Sequence, residues 1–220
     1  DLAMPGEGPW MDQEVIDAVK NGTLEEEKLD RAVERILQII FKFLDSEKKG
    51  RFDKEADHKV SEKTALESMV LLKNDGVLPL PKEGKKIAFI GEFAENPRYQ
   101  GGGSAEVTPY KLISALEAAR SIAEVSYAQG YRLSEDRTDE ELSSQAVKCA
   151  EEADVAVIFA GLPDSFESEG YDRAHMRMPD CQNELIREIA KVQKNVVVVL
   201  HNGSPVEMPW ADSVQAILEA

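Results

Sequence analysis

Cysteine is scarce in this sequence, with Cys149 and Cys181 the two among 220 residues. They form no CxxC motif and have no histidine at metal-ligand spacing, so neither a disulfide framework nor a metal site is expected. Each falls in a helix-like stretch, which favours a buried thiol. The few cysteines, together with the lack of a recognisable signal peptide, favour a cytosolic location.

Long hydrophobic runs and excess positive charge are also lacking. The longest strongly apolar run, at 196–200, is far shorter than the ~20 residues of a membrane-spanning helix. Lysine and arginine number 26 against 42 acidic residues, for a net charge of −16. The short basic clusters Lys48–Lys49 and Lys85–Lys86 are flanked by acids. Because such a chain is repelled by phosphate backbones and anionic headgroups, we expect neither nucleic acid nor membrane as a partner.

Residues 10–44 carry helical periodicity. A first helix is predicted from Trp10 to the Asn21–Gly22 stop, and Thr23 with Glu26 resembles a capping box before a second, amphipathic helix. The charged segment 45–57 lacks periodicity and is interpreted as a linker. A third helix is predicted over 58–73.

From residue 85 onward, short β-branched runs alternate with helical segments. Strands are predicted at 87–90, 125–127, 155–160, 196–200 and 216–218, and helices at 112–119, 140–152 and 183–193. Continuous apolar strands separated by helices of about ten residues indicate an α/β fold with a mostly parallel open sheet sandwiched by helices.

Two long polar loops follow predicted strands, where ligands of parallel sheets gather. Residues 91–109 include the run Gly101–Gly103 followed by Ser104, and residues 161–180 contain several carboxylates beside Arg173. Neighbouring carboxylates and an arginine tune one another's protonation, as general acid–base catalysis requires. A solvated acidic loop is the simpler interpretation. With neither a GxGxxG pattern nor a Walker lysine, no cofactor is expected.

Six segments, in order, resemble the family 3 glycoside hydrolases, the β-glucosidase and β-xylosidase group. They are DLAMPG (1–6), LDRAVERIL (29–37), ALESMVLLKNDGVLPL (65–80), IAFIGEFAENPRYQGGGSAEVTP (87–109), ESEGYDR (167–173) and VVVVLHNGSPVEMPW (196–210). The resemblance implies that 1–44 end a (β/α) barrel, that 45–57 link two domains, and that 58–220 form an incomplete α/β sandwich.

The resemblance also implies removal of terminal non-reducing β-D-glycosyl residues, foremost glucosyl, with retention of configuration. Such chemistry uses two carboxyl groups. Glu169 in ESEGYDR corresponds to the general acid/base, with Glu167 as the second choice. Arg173 and Asp172 would shape the loop, Tyr171 would wall a sugar subsite, and Gly103 and Ser104 would border the cleft.

The nucleophile of the family, an aspartate in an SDW-like motif, has no counterpart in the chain, and Asp1 belongs to the DLAMPG segment beyond it. We therefore expect the chain alone to be inactive, with the missing barrel domain and a β-glucoside or related oligosaccharide as its partners. The sequence does not determine the oligomeric state, and a homo-oligomer is one of the possibilities. Four alternatives also stay open: a non-catalytic carbohydrate-binding module, a degenerate relative, a nucleotide-binding domain and a structural interaction domain.

Overall fold

The computed structural model describes residues 2, 6, 8–47 and 50–220. Asp1, most of the DLAMPG segment and Lys48–Lys49 lie outside these residues, and the predictions made on them stay predictions. The chain divides into two compact units, Asp1–Phe52 and Asp53–Ala220. The division falls inside segment 45–57, which the sequence predicts to be a linker.

The first unit contains two helices, α1 (Pro9–Lys20) and α2 (Glu26–Leu44). Helix α1 starts with a proline in its first turn, where the missing N–H costs no hydrogen bond. The predicted capping box is wrong. The N-cap of α2 is Glu25, and the Thr23 hydroxyl instead donates to the carbonyl of Ala18 at 3.2 Å. The reason is that the turn after α1 continues through Thr23 and engages its hydroxyl.

In the described part of the second unit there are four α-helices, two short 3-10 helices and six strands. The α-helices are α3 (Lys54–Ser68), α4 (Ala115–Arg120), α5 (Glu140–Glu151) and α6 (Asp180–Val192). The strands are β1 (Val70–Asn74), β2 (Ile87–Ile90), β3 (Val125–Ala128), β4 (Val155–Gly161), β5 (Val196–His201) and β6 (Ala216–Glu219). No helix in the part of the chain that the structure describes is long and apolar enough to cross a membrane.

The strands form a single sheet in the order β1-β6-β5-β4-β2-β3. All neighbouring pairs are parallel except β1 with β6, which is antiparallel. Strand β4 is buried along its whole length, and β5 from Val196 to Leu200. Such burial requires cover on both faces of the sheet. The predicted α/β class with a mostly parallel open sheet is confirmed.

The prediction of one helix over 58–73 is wrong at its carboxyl end. Helix α3 ends at Ser68, and the next apolar residues form β1, which pairs with β6 in the register Val70 opposite Glu219. A short apolar run has no distinctive period, so its conformation depends on what it can pair with. At its other end α3 begins inside segment 45–57, where the Asp53 carboxylate caps the backbone N–H groups of Glu55 and Ala56.

The strand order contains a topological switch between β2 and β4. These strands are neighbours, yet the chain leaves β2 towards β3 and leaves β4 towards β5, on the opposite side. With right-handed crossovers, α4 covers one face of the sheet, while α5 and α6 lie side by side on the other. The chain therefore leaves the carboxyl ends of β2 and β4 in opposite directions, which creates a crevice at that edge of the sheet.

Candidate active site

Three loops meet at this crevice: 91–114 after β2, 162–179 after β4 and 202–210 after β5. The first two are joined directly, because Gly102 and Ser168 form an isolated parallel bridge. Beside it, the backbone N–H of Glu169 donates to the carbonyl of Gly102 at 3.4 Å. We call residues 91–114 the glycine-rich loop and residues 162–179 the acidic loop. The two loops that the sequence singles out are thus adjacent in space.

Glu169 is exposed, and its side chain lies against the glycine-rich loop. The backbone N–H of Ser104 donates to its Oε2 at 2.5 Å. Hydrogen bonding from the hydroxyl and the backbone N–H of Ser104 lowers the pKa of the Glu169 carboxyl. This carboxyl is accordingly ionised near neutral pH and is held against the glycine-rich loop by Ser104.

Gly103 permits this contact between the two loops. Its φ of +90° is one that side chains rarely tolerate, and a Cβ built there would lie 2.5 Å from the Cβ of Glu169. Gly103, Ser104 and Glu169, which the resemblance names, are therefore brought together in one small cluster.

Glu167 has a different environment, although it lies two residues from Glu169. One of its oxygens, Oε2, accepts from Nη1 of Arg98 at 2.5 Å and from the backbone N–H of Gly203 at 2.9 Å. Its other oxygen, Oε1, accepts from the Ser204 hydroxyl. Partial burial raises the pKa of Glu167, but the bonds from Ser204, Gly203 and Arg98 outweigh burial and lower it overall. Glu167 is thus an ionised carboxylate that accepts hydrogen bonds at both of its oxygens.

The remaining predicted residues lie on the far side of the acidic loop. Arg173 donates from Nη2 to the Ser204 hydroxyl at 3.0 Å and to the Pro205 carbonyl at 2.6 Å. The Tyr171 hydroxyl donates to the Asp164 carbonyl at 2.5 Å. With Asp172, both line an open cleft of about 610 Å³ that is separate from the Gly103–Ser104 contact.

Arg98 is a central residue of the crevice that the sequence did not single out. Its side chain is 11% exposed, and it bonds Leu162 and Glu167 of the acidic loop. With Gly102, Glu167 and His201 it lines a cleft of about 350 Å³ between the three loops. A signal did exist, because Arg98 is the one basic residue in the loop 91–109.

His201 is at the base of the same cleft. Its ring stacks on Phe93 with centroids 5.3 Å apart, and its Nε2 has no hydrogen-bond partner among the described residues. Burial, followed by the positive charge of Arg98, lowers the pKa of His201 to about 4, so the ring is neutral. Within the described ranges, no group of three or more His, Cys, Asp and Glu side chains is placed to hold a metal ion.

Comparison with known proteins shows the family to which the chain belongs. Residues 69–220 match the glycosyl hydrolase family 3 C-terminal domain. The chain belongs to glycoside hydrolase family 3. In this family context, the sheet described above is the α/β sandwich that the sequence resemblance implies, and the six segments quoted for that resemblance identified the family correctly.

Family 3 relatives resemble the chain over almost its full length. It is 52% identical, over 100% of its residues, to thermostable beta-glucosidase B of Acetivibrio thermocellus. It is 40% identical, over 96%, to an exo-alpha-(1->6)-L-arabinopyranosidase of Bifidobacterium longum. Among solved structures, the GH3 beta-glucosidase of Bifidobacterium adolescentis superposes on 96% of the chain, with a TM-score of 0.84 and 41% identity.

The chain spans a minor part of each of these relatives. It covers 30% of the length of both curated relatives and 32% of the superposed crystal-structure chain. Family membership and fold follow from these comparisons. The activity of a whole protein that contains this chain is the subject of a proposal.

Proposed function

We propose that this chain supplies the general acid/base of a retaining glycosidase active site, and that Glu169 is this residue. The observation that carries the proposal is the contrast between the two candidate glutamates. Glu167 accepts hydrogen bonds at both oxygens, one of them from Arg98, a largely buried arginine with 11% side-chain exposure. Glu169 is exposed beside the glycine-rich loop and held by Ser104.

A residue that donates and then recovers a proton must be stable in both protonation states. Protonating Glu167 would take from Arg98, whose side chain is 11% exposed, its nearest carboxylate and leave it the exposed Asp164 at 3.8 Å, which is costly. Protonating Glu169 costs the bonds from Ser104 alone. Glu169 is therefore the better proton donor and acceptor of the two.

The proposed reaction has two steps. In the first, Glu169 gives its proton to the glycosidic oxygen as a carboxylate nucleophile attacks the anomeric carbon, which releases the alcohol and leaves a glycosyl-enzyme. In the second, Glu169 takes a proton from water as that water attacks the anomeric carbon. The bond from this carbon to the nucleophile breaks, which restores the free carboxylate and releases the sugar with its configuration retained.

The first step needs a protonated Glu169, whereas Ser104 lowers its pKa in this chain. A second carboxylate raises the pKa of its neighbour, and retaining enzymes place theirs about 5–5.5 Å apart. We assign this second group to the aspartate nucleophile of a barrel domain outside the chain. Residues 1–44 would form the end of that barrel, with 45–57 as the linker and 58–220 as the sandwich.

The proposed substrate is a β-glucoside or related oligosaccharide, cleaved at its terminal non-reducing glucosyl residue. The 52% identity to a beta-glucosidase supports glucose. In this proposal Arg173, Tyr171 and Asp172 shape the side of the acidic loop that faces the larger cleft, and Gly103 and Ser104 border the site of proton transfer.

Glu169→Ala in the full-length protein that contains this chain tests the assignment, with 4-nitrophenyl β-D-glucoside as substrate. We expect a loss in kcat of about 10²- to 10⁴-fold, typical of general acid–base catalysis. Azide should restore turnover and form a β-glycosyl azide, because it attacks the glycosyl-enzyme without a general base. Glu188→Ala, on the exposed face of α6, is the matched control.

Wild-type turnover by Glu169→Ala would overturn the assignment. A full-length wild-type protein that binds glucose or cellobiose, yet cleaves no aryl glycoside, would instead favour a non-catalytic carbohydrate-binding protein.

A further inference from the structure

The Arg98–Glu167 pair joins all three loops of the crevice. Arg98 belongs to the loop after β2, Glu167 to the loop after β4, and the further partners of Glu167, Gly203 and Ser204, to the loop after β5. Side-chain exposure is 11% for Arg98 and 21% for Glu167. This pair has no role in the two-step reaction above.

Arg98 contacts the acidic loop at several points. Its Nη1 donates to the Leu162 carbonyl at 3.0 Å and to Oε2 of Glu167 at 2.5 Å, and its Nη2 donates to the Glu167 carbonyl at 3.0 Å. Its Nε lies 3.8 Å from the Asp164 carboxylate. A planar guanidinium bonds two groups in fixed directions, so this arrangement sets the backbone path from 162 to 167.

The backbone that Arg98 holds in place continues directly to Glu169. Residue 167 is fixed by Arg98, Gly203 and Ser204, and residue 168 by its bridge to Gly102. The Glu169 carboxylate then meets the Ser104 N–H at 2.5 Å. The position of Glu169 is thus determined on one side by the ion pair and on the other by the glycine-rich loop.

We propose that Arg98 and Glu167 act together as positioning residues that hold Glu169 where it can reach the glycosidic oxygen. This inference rests on the proposed function of Glu169. It differs from the second choice made from sequence, in which Glu167 itself is the acid/base.

The pair is suited to this role because each member depends on the other. Removing Glu167 leaves the Arg98 charge without its carboxylate, and removing Arg98 leaves the Glu167 charge without its guanidinium. Either change removes the ion pair between the acidic loop and the loop after β2, and leaves the bridge of Gly102 to Ser168 without that support. Replacing both residues by uncharged ones removes both unpaired charges, so the double variant should be less impaired than the two single losses combined.

The test is a double-mutant cycle of Glu167→Gln and Arg98→Met in the full-length protein, assayed with 4-nitrophenyl β-D-glucoside. We expect each single change to lower kcat by about 10²-fold, the cost of misplacing a reacting group by about an ångström. The alkaline limb of the kcat–pH profile should persist, because Glu169 is still present to titrate. Azide should not restore turnover, because the remaining Glu169 carboxylate repels this anion, whereas Glu169→Ala removes that charge. The double variant should lose less than the product of the single losses.

The control cycle uses Glu188→Gln and Lys191→Met, which remove the exposed ion pair of α6. Each of these changes, and the two together, should leave kcat at the wild-type value. Conserved folding of each variant is checked by its near-ultraviolet circular dichroism spectrum.

Other outcomes separate the two proposals. Azide rescue of Glu167→Gln with loss of the alkaline limb would make Glu167 the acid/base and overturn both proposals. Wild-type kcat in Glu167→Gln, with azide rescue of Glu169→Ala, would overturn the positioning role and keep the function. Additive losses in the cycle would show that Arg98 and Glu167 act independently, against the proposed pair.

Discussion

At the scale of single residues, His201 shows how burial controls charge in the crevice. Its ring is removed from water against Phe93, and its pKa falls from about 6.5 to about 4. Because folding favours the neutral ring, the unfolded chain binds an extra proton between these two values. The stabilisation is therefore complete above pH 6.5 and is lost as the pH falls towards 4.

His201→Gln should weaken this pH dependence. Between pH 7.5 and pH 5, the titration of His201 removes about 2 kcal/mol from the free energy of unfolding. The variant should lack that contribution, whatever its stability at pH 7.5. Urea unfolding at the two pH values measures the difference.

His175→Gln, which changes an exposed histidine, is the matched control. An equal pH dependence in His201→Gln and wild type would mean that His201 is not held neutral.

At the scale of elements, the loops of the crevice depend on close contact between backbones. Gly101, Gly102 and Gly103 are consecutive, but their surroundings differ. A Cβ at Gly102 would lie 2.5 Å from the Ser168 hydroxyl oxygen, and one at Gly103 the same distance from the Cβ of Glu169. A Cβ at Gly101 would meet nothing within 4 Å.

Gly103→Ala should therefore displace Glu169, whereas Gly101→Ala, the same change two residues earlier, should not. In the full-length protein we expect Gly103→Ala to lower kcat for an aryl glycoside by about 10- to 100-fold through misalignment of the carboxyl. The positive φ of Gly103 adds backbone strain of about 1–3 kcal/mol. Equal kcat values for the two variants would show that the position of the Gly103 loop does not govern catalysis.

At the scale of the whole molecule, the chain contains two compact units and covers 30% of its curated relatives. Retaining chemistry needs two carboxyl groups from opposite sides of the sugar. In the function proposed above, Glu169 would be one of them. The second would belong to a barrel domain of which residues 1–44 would form the end.

We accordingly expect the 220-residue chain alone to leave 4-nitrophenyl β-D-glucoside unhydrolysed, and the full-length protein to hydrolyse it. The comparison needs the full reading frame on both sides of the chain, with an Asp→Ala change in its SDW-like motif as the inactive control. Turnover by the chain alone at the rate of the full-length protein would place both carboxyl groups within it.

Much of the fold was predictable, because short buried strands and amphipathic helices have different periods. The strands β2 to β6 and the helices α5 and α6 lie within a few residues of their predicted positions. The two loops that carry Gly103, Ser104 and Glu169 could be predicted as candidate site loops, because ligands of parallel sheets gather at the carboxyl edge.

By itself, then, the sequence determined the α/β class, the family and the loops that contain the candidate site, since local periodicity and short motifs carry that information. Tertiary structure alone decided that Val70–Asn74 is a strand, because its partner β6 lies at the other end of the domain. It also decided the different roles we propose for Glu167 and Glu169. Arg98 is 69 residues from Glu167 in sequence, and no local pattern indicates which of two nearby carboxylates a distant guanidinium will bind.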